Sequence, residues 1–112
     1  GFALVIENWS EEILLTKLDN EPGFSEDMAA LRDRLDHHPM DVVIDLAAVR
    51  SLNSSNIAQL LRTRQALNRA DRRLVLAGLT EEVASVLHVT GLDQIFDIAP
   101  DSATALASLK LG

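Results

Sequence analysis

The stretch DVVIDLAAVRSLNSSNIAQL, residues 41–60, contains the change of pattern that decides the fold. Residues 42–46 form a nearly continuous apolar run, as expected for a strand that is buried on both faces of a sheet. From residue 57 onward the apolar side chains recur at spacings of three and four, which predicts one face of a helix. The chain therefore passes from a buried strand into a helix. We expect the serine pair Ser54-Ser55 to cap that helix.

The residues before this stretch predict a hairpin and a helix. Segments 3–9 and 12–18 are rich in Val, Ile and Leu and are separated by a polar pair, which predicts two antiparallel strands joined by a tight turn. Turn-forming residues fill positions 19–23. Ser25 is the predicted N-cap of the helix that follows, and Pro39 closes that helix.

The residues after the serine pair repeat the pattern of strand and helix. The helix that starts at the serines runs to about residue 70, and apolar segments over residues 74–77 and 95–98 predict two further central strands. Thr80 and Asp101 are placed to cap the helices that follow these two strands. Strands that alternate with helices imply right-handed crossovers and parallel pairing.

The length and composition fit a single domain over residues 1–112. The chain has 112 residues, of which 47% are hydrophobic, and this is enough for one modest core. The predicted fold class is α/β, with a mixed central sheet that is parallel in its C-terminal part. About four helices are expected to pack against this sheet.

The formal net charge of −7 limits the classes of partner. An acidic surface argues against nucleic acid or an anionic membrane as the main partner. The sequence shows no secretory leader and no apolar run long enough to cross a bilayer, and it contains no cysteine. We therefore expect a cytoplasmic protein without membrane insertion.

Motifs for cofactor binding and catalysis are missing from the sequence. There is no G-x-G-x-x-G or G-K-[ST] turn for a nucleotide, and no G-x-S-x-G elbow for a serine hydrolase. His37 and His38 are adjacent, which is not the spacing of a helical zinc pair. Ser54, His88 and Asp45 could be combined into a triad only on paper. No catalytic residue, metal or cofactor is therefore predicted, and Asp45 is expected to bond the N–H groups of a neighbouring loop.

Two longer segments resemble a known family. The stretches DVVIDLAAVRSLNSSNIAQLLRTRQAL and RRLVLAGLTEEVASVLHVTGLDQIFDI are similar to the STAS domain of bacterial anti-sigma factor antagonists. In that family a strand ending in aspartate-leucine leads to a D-S-S-G-L or D-S-T-G-L turn, and a later helix ends in T-G-L or S-G-L. Thr90-Gly91-Leu92 matches the later motif. The resemblance covers roughly residues 41–110.

This resemblance implies regulation by binding. Simple members of the family bind an anti-sigma factor, usually a serine kinase, and so release the sigma factor. The kinase ends the interaction by phosphorylating the first serine of the turn, which is Ser54 by position, with Ser55 as the alternative. The helix is expected to present exposed polar side chains to the partner. The implied partner-binding residues are Asp19, Asn53, Ser54, Ser55, Asn56, Gln59 and Arg62.

Two departures from the family motif keep other functions open. Asn53 stands where the family has aspartate, and Asn56 stands where it has glycine. A second hypothesis is therefore a STAS scaffold or accessory subunit that is not phosphorylated, as in stress-signalling assemblies or lipid-transport ATPase complexes. A third hypothesis, an enzyme that uses Ser54 or Asp45, is the least favoured. A homodimer is one option for the oligomeric state.

Overall fold

A computed structural model describes residues 5–10 and 12–111, with side chains from residue 12 onward. In this part of the chain the elements follow the predicted order of a hairpin and then alternating helices and strands. They are β1 (Val5–Ser10), β2 (Ile13–Lys17), α1 (Gly23–His37), β3 (Asp41–Asp45), α2 (Ser54–Arg69), β4 (Leu74–Ala77), α3 (Glu81–Val89), a short 3₁₀ turn (Leu92–Gln94), β5 (Asp97–Ala99) and α4 (Ser102–Leu111).

The strands form one sheet in the order β1-β2-β3-β4-β5. The pair β1 and β2 is antiparallel, whereas β2, β3, β4 and β5 are parallel to one another. The predicted hairpin and the mixed sheet with a parallel C-terminal part are confirmed. Residues 3 and 4 of the first predicted strand lie outside the described residues.

Helices cover both faces of the sheet. The side chains of α1, α2 and α3 share one apolar core with the even-numbered positions of β2, β3 and β4, among them Leu14, Ile44 and Leu76. The helix α4 packs on the other face, where Leu106 meets Val43 and its neighbours. Because side chains alternate along a strand, β2, β3 and β4 each contribute to both cores. Full burial of one such side chain contributes about 1.5–3 kcal/mol.

The position of the last strand differs from the prediction. We expected residues 95–98 to form a third central strand, but β5 is shifted to Asp97–Ala99 and lies at the edge of the sheet. The chain turns after β5 into α4, which crosses to the opposite face, so no later strand pairs with β5. Ile98 accordingly keeps 41% of its surface exposed. A segment of four residues of which three are apolar does not distinguish a central strand from an edge strand.

The helix caps agree with the sequence in two places and differ in one. Thr80 Oγ1 accepts the Val83 N–H at 3.3 Å, and Asp101 Oδ1 accepts the Thr104 N–H at 2.7 Å, so both predicted caps are confirmed. Ser25, however, is not the N-cap of α1. That helix begins two residues earlier, after Pro22, which has no side-chain cap bond.

Candidate functional site

The first turn of α2 is closed by two asparagines rather than by the serines. Asn53 is the N-cap, and its Oδ1 accepts the Asn56 N–H at 2.8 Å. In return, Asn56 Oδ1 accepts the Asn53 N–H at 3.1 Å, which completes a capping box. The expectation that the serine pair caps the helix is therefore wrong. Each amide oxygen accepts the backbone N–H of the other asparagine, so the pair satisfies two backbone donors of the first turn.

The serine pair is left exposed on the surface. Ser54 and Ser55 are the first two residues of α2, directly after the cap, and both side chains are exposed. The first N–H groups of a helix have no acceptor within the helix, and the N-terminus carries partial positive charge. The hydroxyl of Ser54 therefore lies at a position where an attached anionic group would be stabilised.

Asn56 is buried, contrary to the expectation that it is presented to a partner. Only 3% of its surface is exposed. Its Nδ2 donates a hydrogen bond to Glu21 Oε2 at 3.1 Å, and its Oδ1 is turned to the Asn53 N–H. The side chain points inward because all of its polar atoms find partners in the first turn of α2 and in the loop before α1.

The carboxylate of Glu21 holds the starts of two helices together. Its Oε1 accepts the Ser25 N–H at 2.8 Å, and its Oε2 accepts the Ser25 hydroxyl at 2.5 Å as well as the Asn56 amide. These hydrogen bonds, with that of the Ser25 side chain foremost, lower the pKa of Glu21. Glu21 thus takes over at α1 the capping role that was predicted for Ser25.

The loop before α1 is also fixed to the loop before α2. Asn20 Nδ2 donates to the Ala48 carbonyl at 3.2 Å, and Asn20 Oδ1 accepts the Arg50 N–H at 2.7 Å. Asp19 is exposed beside them, and its Oδ1 accepts the Asn20 N–H at 2.7 Å. Asp19 therefore lies on a loop that is anchored to the one that precedes the serines. Sequence analysis missed Asn20 and Glu21, whose only signal was a polar, turn-forming composition.

Two depressions flank the start of α2. A cleft of about 440 Å³ lies between the two loops and is lined by Asn20, Glu21, Arg50 and Asn53, among others. A groove of about 390 Å³ lies between α1 and α2, and Gln59 lines it. Both depressions lie within one or two turns of the serine pair along α2.

Of the other predicted partner residues, two lie further along α2. Gln59 is partly buried, and its Nε2 donates to Ser25 Oγ at 3.1 Å. Arg62 is exposed and lines the same groove as Gln59. The structure thus places Asp19, Ser54 and Arg62 on the surface, whereas Asn56 lies beneath it.

Asp45 bonds one loop N–H, as expected, but its second partner is a side-chain hydroxyl at the start of α4. Its Oδ1 accepts the Ala47 N–H at 2.8 Å, and its Oδ2 accepts the Ser102 hydroxyl at 2.8 Å. His88 instead bonds Asp93 through Nδ1 at 2.8 Å, which lowers the pKa of Asp93. The hydrogen bonds of Asp45 and His88 therefore lead to other groups, and the structure does not assemble them with Ser54 into a triad.

No group of three or more His, Asp or Glu side chains within the described ranges could hold a metal ion. None of the helices seen between residues 12 and 111 is both long enough and apolar enough to cross a bilayer.

His37 lies exposed at the end of α1, where a hydrogen bond to the Asp33 carbonyl raises its pKa.

The fold and the serine turn define a known class of domain. The family model of the STAS domain matches residues 5–105. This match covers the sheet, α1, α2 and α3 and reaches into α4. The protein therefore belongs to the STAS domain family. No curated protein sequence matches it.

Solved structures with this fold include anti-sigma factor antagonists. An anti-sigma-factor antagonist (STAS) domain protein from Planctomyces limnophilus has a TM-score of 0.82 at 17% identity, covering 96% of this chain and 97% of that chain. A serine-to-glutamate variant of RsbS from Moorella thermoacetica has a TM-score of 0.82 at 18% identity, covering 96% and 95%. The antagonist SpoIIAA in its unphosphorylated form has a TM-score of 0.81 at 15% identity, covering 96% of both chains. These likenesses show the fold.

Proposed function

We propose that the protein is an anti-sigma factor antagonist that binds an anti-sigma factor with serine kinase activity. Phosphorylation of Ser54 by that kinase ends the interaction and so regulates transcription that depends on the sigma factor. The observation that carries this proposal is the exposed serine at the first position of α2, in a domain of the STAS family.

The electrostatics of the site support a switch of this kind. A phosphate on Ser54 would lie at the positive end of α2, so the free protein could carry it without unfolding. The phosphate would add about −1.5 to −2 charge to the surface. The chain already carries a net charge of −7. The added negative charge would therefore weaken binding to a partner whose surface fits the uncharged Ser54 side chain.

The proposed partner surface combines the exposed members of the predicted set with the buried Asn56 and the partly buried Gln59. Asp19, Asn53, Ser54, Ser55 and Arg62 are exposed and can be touched directly. Asn53 and Asn56 hold the serines in place through the capping box, and Gln59 lies at the border of the α1–α2 groove. Removal of a supporting asparagine should therefore weaken binding through the geometry of the turn rather than through a lost contact.

Two structural neighbours have states that fit this proposal. SpoIIAA has been solved in an unphosphorylated and in a phosphorylated form, the latter with a TM-score of 0.74 to this chain. The RsbS neighbour carries a glutamate in place of a serine. These neighbours share only 14–18% of their residues with this chain, so the two states are properties of those proteins. They suggest the experiment that follows.

The test starts with affinity capture of the partner from the native cell, followed by incubation of the purified pair with ATP. We expect one phosphate per molecule in the intact mass, none in Ser54→Ala, and loss of the complex as the phosphate appears. Ser51→Ala is the matched control, because Ser51 is an exposed serine in the loop directly before α2. A phosphate mapped outside the serine pair would contradict the switch, and capture of no anti-sigma factor would contradict the function.

A second candidate is a STAS scaffold or accessory subunit that binds without phosphorylation. It is favoured by the uncharged cap Asn53 and by the Asn56 side chain, which is held by Glu21 in the first turn. This candidate predicts a stable assembly whose affinity does not change in Ser54→Asp. The switch predicts that the same substitution releases the partner.

A further inference from the structure

One exposed arginine beside the serine pair has no partner of opposite charge. Arg50 lies four residues before Ser54, in the loop that leads from β3 to α2, and its side chain is exposed. Its guanidinium forms no ion pair with a carboxylate of the described residues. A full positive charge therefore lies near the proposed phosphorylation site, and the fold of the unmodified protein does not use it.

The cleft between the two loops brings this charge to the start of α2. Arg50 is the one cation and Glu21 the one carboxylate among the described residues that line it. Asn53, the residue directly before Ser54, lines the same cleft. The Glu21 carboxylate is already engaged by three hydrogen-bond donors, whereas the Arg50 guanidinium has no ion-pair partner. An anion on Ser54 therefore finds one available cation at this cleft, and that cation is Arg50.

The backbone between Arg50 and Ser54 is held in place at both ends. The Arg50 N–H donates to Asn20 Oδ1 at 2.7 Å, and the side chain of Leu52 is buried in the core. At the other end the capping box fixes Asn53 against the first turn of α2. Two Cα atoms four residues apart are separated by at most about 14 Å. The long arginine side chain and a phosphate on the serine can bridge such a separation.

We propose that Arg50 is the internal partner of a phosphate on Ser54, which it holds at the cleft. The planar guanidinium offers two parallel N–H groups to phosphate oxygens, and such charge-assisted pairs are among the stronger hydrogen bonds. This inference rests on the proposed phosphorylation and adds the residue that responds to it. Phosphorylation then acts twice on the partner surface: it adds negative charge at Ser54, and it withdraws the exposed cation Arg50 from the partner.

The pairing changes the ionisation of the phosphate. A phosphoserine loses its second proton at about pH 6. A neighbouring guanidinium and a helix N-terminus both favour the dianion and lower this pKa, whereas the carboxylates of Asp19 and Glu21 on the loop before α1 raise it. Since Arg50 is the group that pairs with the phosphate directly, its removal should raise the pKa of the phosphate.

Phosphoserine can be inserted at position 54 during translation, so the test of this pair needs no kinase. Phosphorus NMR then follows the phosphate of the folded protein across its second ionisation at low salt. We expect its pKa to be higher by at least about 0.5 in Arg50→Gln than in the phosphoprotein that keeps Arg50. Arg50→Lys restores the charge without the planar fork, so it should recover part of the difference.

Two controls separate this ion pair from other effects. Arg69→Gln removes the same charge from the exposed last turn of α2, about 22 Å along the helix from Ser54, and should leave the phosphate pKa within about 0.2 of its original value. Arg50→Gln should leave the thermal midpoint of the unphosphorylated protein unchanged and lower that of the phosphoprotein. A merely structural role of Arg50 would lower the midpoint of both forms.

The outcomes separate the role of Arg50 from the proposed function. A phosphate pKa that agrees within about 0.2 between Arg50→Gln and the phosphoprotein that keeps Arg50 would overturn the assignment. An equal rise in Arg69→Gln would also overturn it, because the effect would then come from the net charge of the chain. If the captured kinase leaves Ser54 unmodified, the proposed switch fails whichever way the titration comes out. If Ser54 is phosphorylated but its pKa does not depend on Arg50, only the role of Arg50 fails.

Discussion

The carboxylate of Glu21 and the amide of Asn56, 35 residues apart in the sequence, are joined by a hydrogen bond of 3.1 Å. The same carboxylate accepts the backbone N–H of Ser25 at 2.8 Å. One side chain in the loop before α1 therefore holds the first turn of α1 and the first turn of α2. Since the serine pair begins α2, this contact sets the position of the proposed phosphorylation site relative to the rest of the domain.

Asn56→Ala should lower the free energy of unfolding by about 1–2 kcal/mol. The substitution removes the acceptor for the Asn53 N–H and the donor to Glu21, and the gain in helix propensity offsets only part of that loss. Urea unfolding followed by circular dichroism measures the difference. Asn68→Ala is the control, because Asn68 is an exposed residue of the same helix with no side-chain hydrogen bond to a described residue. Equal stabilities of the two variants would contradict a role for the Glu21–Asn56 contact.

Glu21→Gln should make stability less dependent on pH at the acidic end. The pKa of Glu21 in the folded protein lies below its ordinary value of 4.5, chiefly because of the hydrogen bonds from Ser25. The unfolded chain therefore binds a proton more readily, so the ionised carboxylate stabilises the fold above pH 4.5. This contribution is lost as the pH falls from that value through the lower folded pKa.

The measurement is the stability difference between wild type and Glu21→Gln at about pH 6 and about pH 3.5. We expect the difference to be larger at the higher pH. Asp71→Asn serves as the control, since it removes a surface carboxylate that accepts no hydrogen bond from the described residues, at a positive φ of 58° that asparagine tolerates. A difference for Glu21→Gln that is the same at both pH values would contradict the expected linkage.

Hydrophobic pattern was sufficient to predict most of the fold. The strand over residues 74–77 was predicted with the bounds that the structure shows, because four buried residues are flanked by polar turns. The caps Thr80 and Asp101 were predicted because a cap bonds an N–H only three residues away. The edge position of β5 was not predictable in this way, since it depends on the path of α4 after the strand.

The support of the candidate site could not be read from the sequence. The pattern placed the serines at the start of α2, and the resemblance selected Ser54 as the acceptor. That Asn56 turns inward and bonds Glu21 depends on where the loop before α1 lies, which is a property of the packed structure. The same holds for Gln59, whose Nε2 donates a hydrogen bond to Ser25 Oγ on the neighbouring helix. Polar contacts between distant segments have no periodicity, so they leave no signal in one sequence.

Asp45→Ala should destabilise the domain by about 1–3 kcal/mol without affecting partner binding. Asp45 accepts the Ala47 N–H and the Ser102 hydroxyl, so it joins the end of β3 to the start of α4. Ser102→Ala removes only one of these bonds and should cost about 1 kcal/mol or less. Ser108→Ala is the matched control in the same helix, since the Ser108 hydroxyl bonds only the nearby Ala105 carbonyl. Loss of partner binding in a folded Asp45→Ala protein would contradict the structural role.

Ser54→Asp should leave the free protein as stable as the wild type, or more stable by about 0.3–1 kcal/mol at low salt. Aspartate at the first position of α2 places a negative charge at the positive helix end, and the Asn53–Asn56 capping box does not involve the Ser54 side chain. Ser54→Asn is the control in urea unfolding, because asparagine has the shape of aspartate but no charge. The gain should shrink at about 1 M salt, where the charge is screened. A Ser54→Asp protein that unfolds more easily than Ser54→Asn would mean that charge at this position acts by loosening α2. The proposed switch would then work through the fold instead of through the contact with the partner.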